Sequence, residues 1–159
     1  MSKPKYEKMK DINPDYFISV LNDKKIRNHL VAHGLFDSFT IREWVKEKTK
    51  YDNMQGCRLR AIIVDNKLAG WCGIQKDNEN YEIAMVISKT YWGLGTLVFR
   101  DLRSWANELG HNEVTVHLLE TRPEYRFLTK VSTKSYKTKM LGRNFMTYHI
   151  PIKKTEPNE

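Results

Sequence analysis

The sequence predicts a single α/β (α+β) domain in which helices flank one mixed, mostly antiparallel sheet. Three observations predict it. Leu59–Val64, Leu68–Gln75 and Tyr81–Ile87 are runs with strand patterning that follow one another across short polar turns, as in an antiparallel meander. A loop with two close glycines then leads into the strongest helical pattern of the chain. After that helix come a strand, a helix and two more strands, a mixture that asks for one sheet covered by helices. At 159 residues the chain is about one domain long and can bury a core without staples. Residues 1–159 are therefore expected to be one unit, with 1–10 and 151–159 as loose ends.

Each element has its own signal. Asn13-Pro14 opens a helix, Asn as cap and Pro at the first helical position, and Phe17, Val20 and Leu21 give it an apolar face. Asp23 caps a second short turn through Ile26 and Leu30. Thr40 and Glu43 form a capping-box pair ahead of a helix whose buried side is Ile41, Trp44 and Val45. Asp65-Asn66-Lys67 joins the first two strands as a hairpin, and Asp77–Asn80 turns into the third. Val98, Leu102, Trp105 and Leu109 recur at helical spacing from about Thr96 to Leu109, and Gly110 stands where a C-terminal cap belongs. Glu113–Leu119 is expected as a strand, Pro123–Val131 as a helix, and Ser135–Leu141 and Phe145–Ile150 as closing strands.

Composition excludes several classes. The chain is 40% hydrophobic and 29% charged, ordinary for a globular protein and too apolar for wholesale disorder. Its longest apolar runs, such as Ala61–Val64 and Ile83–Ile87, fall far short of a membrane span. The N-terminal residues lack an apolar h-region, so a cytoplasmic protein is expected. Cys57 and Cys72 are too few and too far apart for a zinc ribbon or redox pair, so no metal is expected. Both fall in predicted strands, as small buried hydrophobes.

The net charge of +8 is concentrated at one end. Between Thr121 and Lys154 stand nine basic residues (Arg122, Arg126, Lys130, Lys134, Lys137, Lys139, Arg143, Lys153, Lys154) against one acid, Glu124. The rest of the chain is balanced, 18 of each sign. Such a field attracts phosphates, nucleic acid or an acidic peptide, or simply keeps a surface solvated.

The segment with chemical content is Ser88-Lys89-Thr90-Tyr91-Trp92-Gly93-Leu94-Gly95-Thr96, between a strand and an amphipathic helix. A helix N-terminus offers unsatisfied N–H groups and the positive end of the dipole, which suit phosphate oxygens. Glycine lets the backbone come close to them. Alone, Gly-x-Gly equally suits a plain tight turn. It is neither a Walker loop nor a full dinucleotide fingerprint.

In its context, the glycine turn between the third strand of a meander and the longest helix resembles the GNAT superfamily of N-acetyltransferases. The family signature, Arg/Gln-x-x-Gly-x-Gly/Ala, falls with Trp92 at its first position, Gly95 at its fourth and Leu97 at its sixth. The text Ile87-Ser88-Lys89-Thr90-Tyr91-Trp92-Gly93-Leu94-Gly95 is most similar to the branch acting on protein N-termini. The resemblance runs over roughly Leu59 to Ile150. It implies acetyl-CoA as co-substrate, with Met85, Val86 and Ile87 offering main-chain groups to the pantetheine arm. The amides of Trp92, Gly93, Leu94, Gly95, Thr96 and Leu97 would cradle the pyrophosphate. Acetyl would pass directly to a primary amine, with a strand amide of Met85 or Val86 stabilising the oxyanion.

For the base, the resemblance offers Glu82, and His117 in the neighbouring strand has a reference pKa near ~6.5 that suits proton transfer at neutral pH. The alternatives are a solvent-facing strand carboxylate and a polar cross-strand partner. The family pattern also expects Asn, Tyr and Gly where this chain has Thr121, Leu128 and Ser132. Tyr125, or Tyr136, would then replace the usual acid, and Lys89, Arg126 or Lys130 would supply charge for the cofactor. The acceptor is a peptide, a protein, a small molecule or an aminoacyl-tRNA, with an RNA-linked or anionic one suiting the basic segment. The oligomeric state is left open, a homodimer included. A different class remains: a degenerate GNAT module binding nucleic acid or protein through basic residues and Tyr125, Phe127, Tyr136, Phe145 and Tyr148. His29, His33, His111 and His149 have no spacing partners and receive no role.

Overall fold

Asp65 and Asn66 both have positive φ (49° and 65°), the conformation that a two-residue type I′ hairpin demands. They join β2 (Arg58–Val64) to β3 (Lys67–Asp77), and a second tight turn at Asn78 (φ 55°) leads into β4 (Asn80–Ile87). The computed structural model describes residues 2–27, 34–122 and 125–152, so Leu30, His29 and His33 lie outside the described residues, as do Pro123 and Glu124. Gly70 lets β3 and β4 meet: a Cβ there would stand 1.9 Å from the Val86 carbonyl oxygen.

Among the described residues the sheet has seven strands, in the order β1-β2-β3-β4-β5-β7-β6. β5 is Glu113–Leu119, β6 Lys134–Met140 and β7 Arg143–Pro151, with Leu141 and Gly142 (φ 51° and 72°) forming the β6–β7 turn. Leu141 is thus in the turn rather than in the strand. Every pairing is antiparallel except β4 with β5, which is parallel. That pairing is confined to Glu82↔Thr115. Beyond it, the edge of residues 83–87 that faces β5 makes no ladder with it, and the sheet opens between the two strands.

The expectation of a loose N-terminus is corrected. β1 (Lys5–Glu7) pairs with β2, the Tyr6 hydroxyl donates to Asp101 Oδ2 at 2.6 Å, and Met9 is buried. Polar composition concealed these two anchors. At the other end Ile152 is buried and its N–H donates to the Asn112 carbonyl; residues 153–159 lie outside the described ones. Cys57 sits just before β2 rather than within it, whereas Cys72 is inside β3. Both are buried free thiols, and burial pushes both pKa values up.

Among the described residues five α-helices accompany the sheet: α1 (Asp15–Leu21), α2 (Lys24–Arg27), α3 (Ser38–Asp52), α4 (Gly95–Glu108) and α5 (Arg126–Val131). α3 begins earlier than Thr40 predicts. Asp37 is the cap, its carboxylate accepting from the Phe39 and Thr40 N–H groups at 2.9 and 2.8 Å. Thr40 plays the reciprocal part, accepting from the Asp37 N–H at 2.8 Å, and Glu43 lies outside the box. α1 also starts one residue late, with Asn13 Oδ1 accepting from the Asp15 N–H and Pro14 at the flanking position.

Two apolar cores result. Phe17, Val20, Leu21, Ile41 and Val45 of α1 and α3 cover Leu59, Ala61, Trp71 and Val86 on one face. On the other face Val98, Phe99, Leu102 and Ala106 of α4, with Leu128 of α5, cover Ile62, Val64, Cys72, Ile74, Val114 and Val116. Each fully buried large aliphatic side chain stabilises the fold by about 1.5–3 kcal/mol relative to exposure. No helix among the described residues is long and apolar enough to cross a membrane.

Candidate active site

Strand register assembles the site. Gln75 lies opposite Glu82, Glu82 opposite Thr115, and His117 opposite Thr147, which itself faces Tyr136. Directly opposed residues share a face, so Gln75, Glu82, His117, Thr147 and Tyr136 all project to the α1–α3 side. Glu82 Oε1 accepts from Gln75 Nε2 at 2.8 Å, and its Oε2 lies 3.9 Å from His117 Nε2. His117 Nε2 is 3.0 Å from Asp77 Oδ2, and its Nδ1 is 2.8 Å from Thr147 Oγ1. Thr147 Oγ1 is in turn 2.7 Å from Thr138 Oγ1. One proton assignment satisfies the chain: Thr138 donates to Thr147, Thr147 to Nδ1, and Nε2 to Asp77.

Glu82 is partly buried, its side chain 22% exposed, and burial raises its pKa, with the Asp77 charge adding to the rise. Gln75, His117 and Lys48 act in the opposite direction. A carboxylate displaced toward neutrality by a dry surrounding is suited to take a proton near neutral pH. Both base candidates therefore stand together beside the opening between β4 and β5. Asp77, Glu82 and His117 also bring one potential ligand atom each within 4.8 Å of one another. Their contacts are already those of a hydrogen-bonded network.

The glycine segment differs from the expected open loop. Lys89–Leu94 is a 3-10 helix that runs straight into α4, so the helix begins at Gly95 rather than about Thr96. The Gly95 N–H is bonded to the Trp92 carbonyl, and this amide is not free as the family pattern implies. Leu94 is buried. The Trp92 indole donates to the Ile87 carbonyl at 2.7 Å, so that carbonyl is occupied. The expectation for Val86 is corrected: its carbonyl lies against Gly70, and the alternation set by the Ser88 N–H to Ala69 carbonyl bond turns both its main-chain groups to β3, which leaves Met85 on the other edge. Thr96 is exposed and Leu97 half-buried.

Nothing among the described residues requires glycine at 93 or 95. A Cβ at either would meet no atom within 4 Å, and Gly95 has helical backbone angles (φ −55°, ψ −44°). An alanine would suit that conformation better, by about 0.4–1 kcal/mol. The start of α4 also has no side-chain cap. Open space over glycine, at an uncapped helix start, fits the approach of a phosphate. Nearby, Asp23, Lys25, Lys89 and Thr90 line a surface cavity of about 490 Å³. The neighbouring Lys25 ammonium pulls the Lys89 pKa down, so two positive groups face one gap. Lys25 was not legible as part of this site.

Tyr125 stands elsewhere. It precedes α5, its ring packs on Phe127 at 5.8 Å, the Arg122 guanidinium lies 5.8 Å over it, and Phe127 meets Phe99 of α4 at 5.2 Å. It therefore belongs to the α4–α5 face, opposite Glu82 and His117. Arg126 and Lys130 are exposed on α5. Sequence reasoning also missed Gln75, Asp77, Lys48 and His149. His149 Nε2 is 2.7 Å from the Tyr136 hydroxyl and its Nδ1 is 3.3 Å from Glu113 Oε1. No spacing rule predicts these, because each depends on strand order. His111 is structural, with Nε2 2.7 Å from the Gly56 carbonyl oxygen and its ring against Tyr81.

The stacking surface imagined for a nucleic-acid module is largely absent among the described residues. Phe145 and Tyr148 are buried, at 6% and 2% exposure, and Phe127 packs on Phe99. The exposed lysines Lys134, Lys137 and Lys139 all lie on β6, the edge strand. Lysine there discourages edge-to-edge pairing, which accounts for three of the nine basic residues of the segment.

No family model matches the sequence, and no curated protein does. Solved structures do match. A GNAT-family acetyltransferase from Bacillus anthracis superposes with a TM-score of 0.70 at 17% identity, covering 94% of this chain and 95% of that one. One from Streptococcus pneumoniae gives 0.65 at 18% identity, over 93% and 98% of the two chains. The PaiA N-acetyltransferase of Thermoplasma acidophilum, solved with coenzyme A, gives 0.60 at 13% identity, over 92% and 99%. At these identities the likeness is one of architecture, and the chain has the fold of the GNAT acetyltransferases.

Proposed function

We propose that the protein is an acetyl-CoA-dependent N-acetyltransferase that transfers acetyl directly to a primary amine. The observation that carries this reading is the Glu82–His117 pair beside the only parallel pairing described in the sheet, where β4 and β5 part after Glu82↔Thr115. The co-substrate supplies an acetyl thioester. Its pyrophosphate is held over Gly93 and Gly95 by backbone at Trp92, Leu94, Thr96 and Leu97, with charge from Lys89 and Lys25 and, from α5, Arg126. The pantetheine arm runs along Met85, and Ile87 joins it once Trp92 releases its carbonyl. The Met85 amide, on the edge turned away from β3, receives the developing oxyanion.

Glu82 takes the proton from the incoming ammonium through Oε2, and His117 holds the neighbouring network in one tautomer. Tyr125, on the opposite face, protonates the departing thiolate. The acceptor is read as a peptide N-terminus or another exposed primary amine, in keeping with the local text around Tyr91–Gly95. The chain is read as one acetyl-CoA-binding domain acting in the cytoplasm.

Calorimetric titration with acetyl-CoA, beside the Gly95→Trp variant, tests the reading. Micromolar binding lost in the variant is the expected outcome. Absence of binding to the unaltered protein refutes the enzyme reading and directs attention to partners of the basic C-terminal segment.

A further inference from the structure

Lys48 sits in an unusual place for a lysine. It projects from α3 toward the sheet, and its ammonium lies 4.6 Å from the Trp71 ring centroid, 5.7 Å from Tyr51 and 5.9 Å from Trp44. Burial there disfavours its charged form, while Glu82 and Glu47 favour it. Its polar contact is with Gln75, to whose Oε1 it donates at 3.0 Å. Gln75 then donates from Nε2 to Glu82 Oε1 at 2.8 Å.

The order of this chain is forced by chemistry. An ammonium only donates, so it takes the oxygen end of the Gln75 amide. The amide NH₂ must then point at Glu82, where it requires an acceptor. An ionised carboxylate oxygen always supplies one. If Gln75 were flipped, its NH₂ would face the ammonium and its carbonyl would face the carboxylate, and both contacts would be lost. With Oε1 held in this way, Oε2 is the oxygen left toward His117, 3.9 Å away.

We propose that Lys48 is a positioning residue for Glu82: acting through Gln75, it fixes one carboxylate oxygen, keeps the group ionised and leaves the other oxygen toward the reacting amine. The aromatic rings hold the charge in place by cation–π attraction. The inference deepens the reading of Glu82 as the base and rests on it. The groups facing Glu82 are Lys48 from α3, Gln75 and Asp77 from β3, and His117 from β5. Of these, Lys48, Gln75 and His117 favour the ionised form, and Asp77 opposes it.

The test is a ¹³C NMR titration of the Glu82 carboxyl, its resonance identified by its loss in Glu82→Gln. In Lys48→Met, which keeps the apolar stem between the rings, the midpoint should rise by roughly 0.5–1 pH unit. Lys48→Arg, which retains charge and donors, should restore it. The acid limb of the pH dependence of transfer should move the same way, while affinity for acetyl-CoA stays unchanged. An unchanged midpoint in folded Lys48→Met overturns the proposal. Should that variant fail to fold, Gln75→Leu decides, because loss of the donor alone should also raise the midpoint and an unchanged one refutes the link. Should Glu82→Gln transfer acetyl at full rate, the base assignment falls, and the titration still decides the Lys48 link separately.

Discussion

His117 reaches from β5 to the end of β3, where its Nε2 stands 3.0 Å from Asp77 Oδ2. With Nδ1 also engaged by Thr147 at 2.8 Å, both ring nitrogens are occupied. The imidazole can accept an amine proton only by reversing or giving up one of these two bonds. Glu82 Oε2 has no such obligation to a nearer partner among the described residues. The two base candidates are therefore unequal. Glu82→Gln is expected to lower kcat by about 10²–10⁴-fold, and His117→Asn by about tenfold or less. Steady-state rates at saturating acetyl-CoA, once an acceptor is in hand, check the order; a larger loss in His117→Asn would reverse the assignment.

The same carboxylate has a thermodynamic signature that needs no acceptor. Burial raises the folded-state pKa of Glu82 above its ordinary 4.5. The unfolded chain therefore releases this proton first as pH rises. The group's favourable contribution is complete below about pH 4.5 and is lost as pH climbs through the raised folded value. A neutral glutamine escapes that loss. Glu82→Gln is thus expected to melt at a higher temperature than the parent at pH 7, with the two curves converging toward pH 4.5 and below. Calorimetric melts across that range check it, and a variant less stable at pH 7 would show that the Gln75 bond outweighs the desolvation.

Gly95 separates fold from ligand. Its backbone is helical and a methyl group would meet nothing. Gly95→Ala should therefore stabilise the free protein, by about 0.4–1 kcal/mol, through the smaller entropy of its unfolded chain. The same methyl stands in the space proposed for pyrophosphate and should weaken acetyl-CoA binding. Melts and titrations on one sample measure both. Stabilisation without weaker binding would move the phosphate site elsewhere.

How far the sequence could be followed depends on the range of each interaction. Hairpin turns at Asp65-Asn66 and the apolar stripe Val98, Leu102 on α4 rest on residues a few positions apart, and they fold as the local chemistry dictates. The α3 cap failed by one turn because Asp37 and Thr40 present the same box one step earlier than Thr40 and Glu43. Glu82 and His117 were legible one at a time, as ionisable residues on adjacent strands. Asp77, Gln75 and Lys48 were not, because their relation to Glu82 exists only after α3 docks on β3 and the β3–β4 register is set. The N-terminal strand was hidden for the same reason: Tyr6 finds Asp101 across 95 residues of chain.

The catalytic acid is the remaining unequal choice, between Tyr125 and Tyr136. Tyr136 already donates toward, or accepts from, His149 at 2.7 Å, and it shares the face of Glu82 and His117. On that face it stands beyond β5 and β7, two strand spacings from His117, or about 10 Å. Tyr125 belongs to the opposite, α4-covered face, the side on which the glycine segment begins its helix. A thiolate leaving from a cofactor held over that segment lies on the Tyr125 side. Tyr125→Phe is accordingly expected to lower kcat by about 10²-fold or more, with little change in acetyl-CoA affinity or melting temperature. Tyr136→Phe should leave the kcat nearly intact and act on KM for the acceptor instead. Paired kinetics of the two variants check this, and a kcat loss confined to Tyr136→Phe would place the leaving thiolate on the His149 side of the sheet.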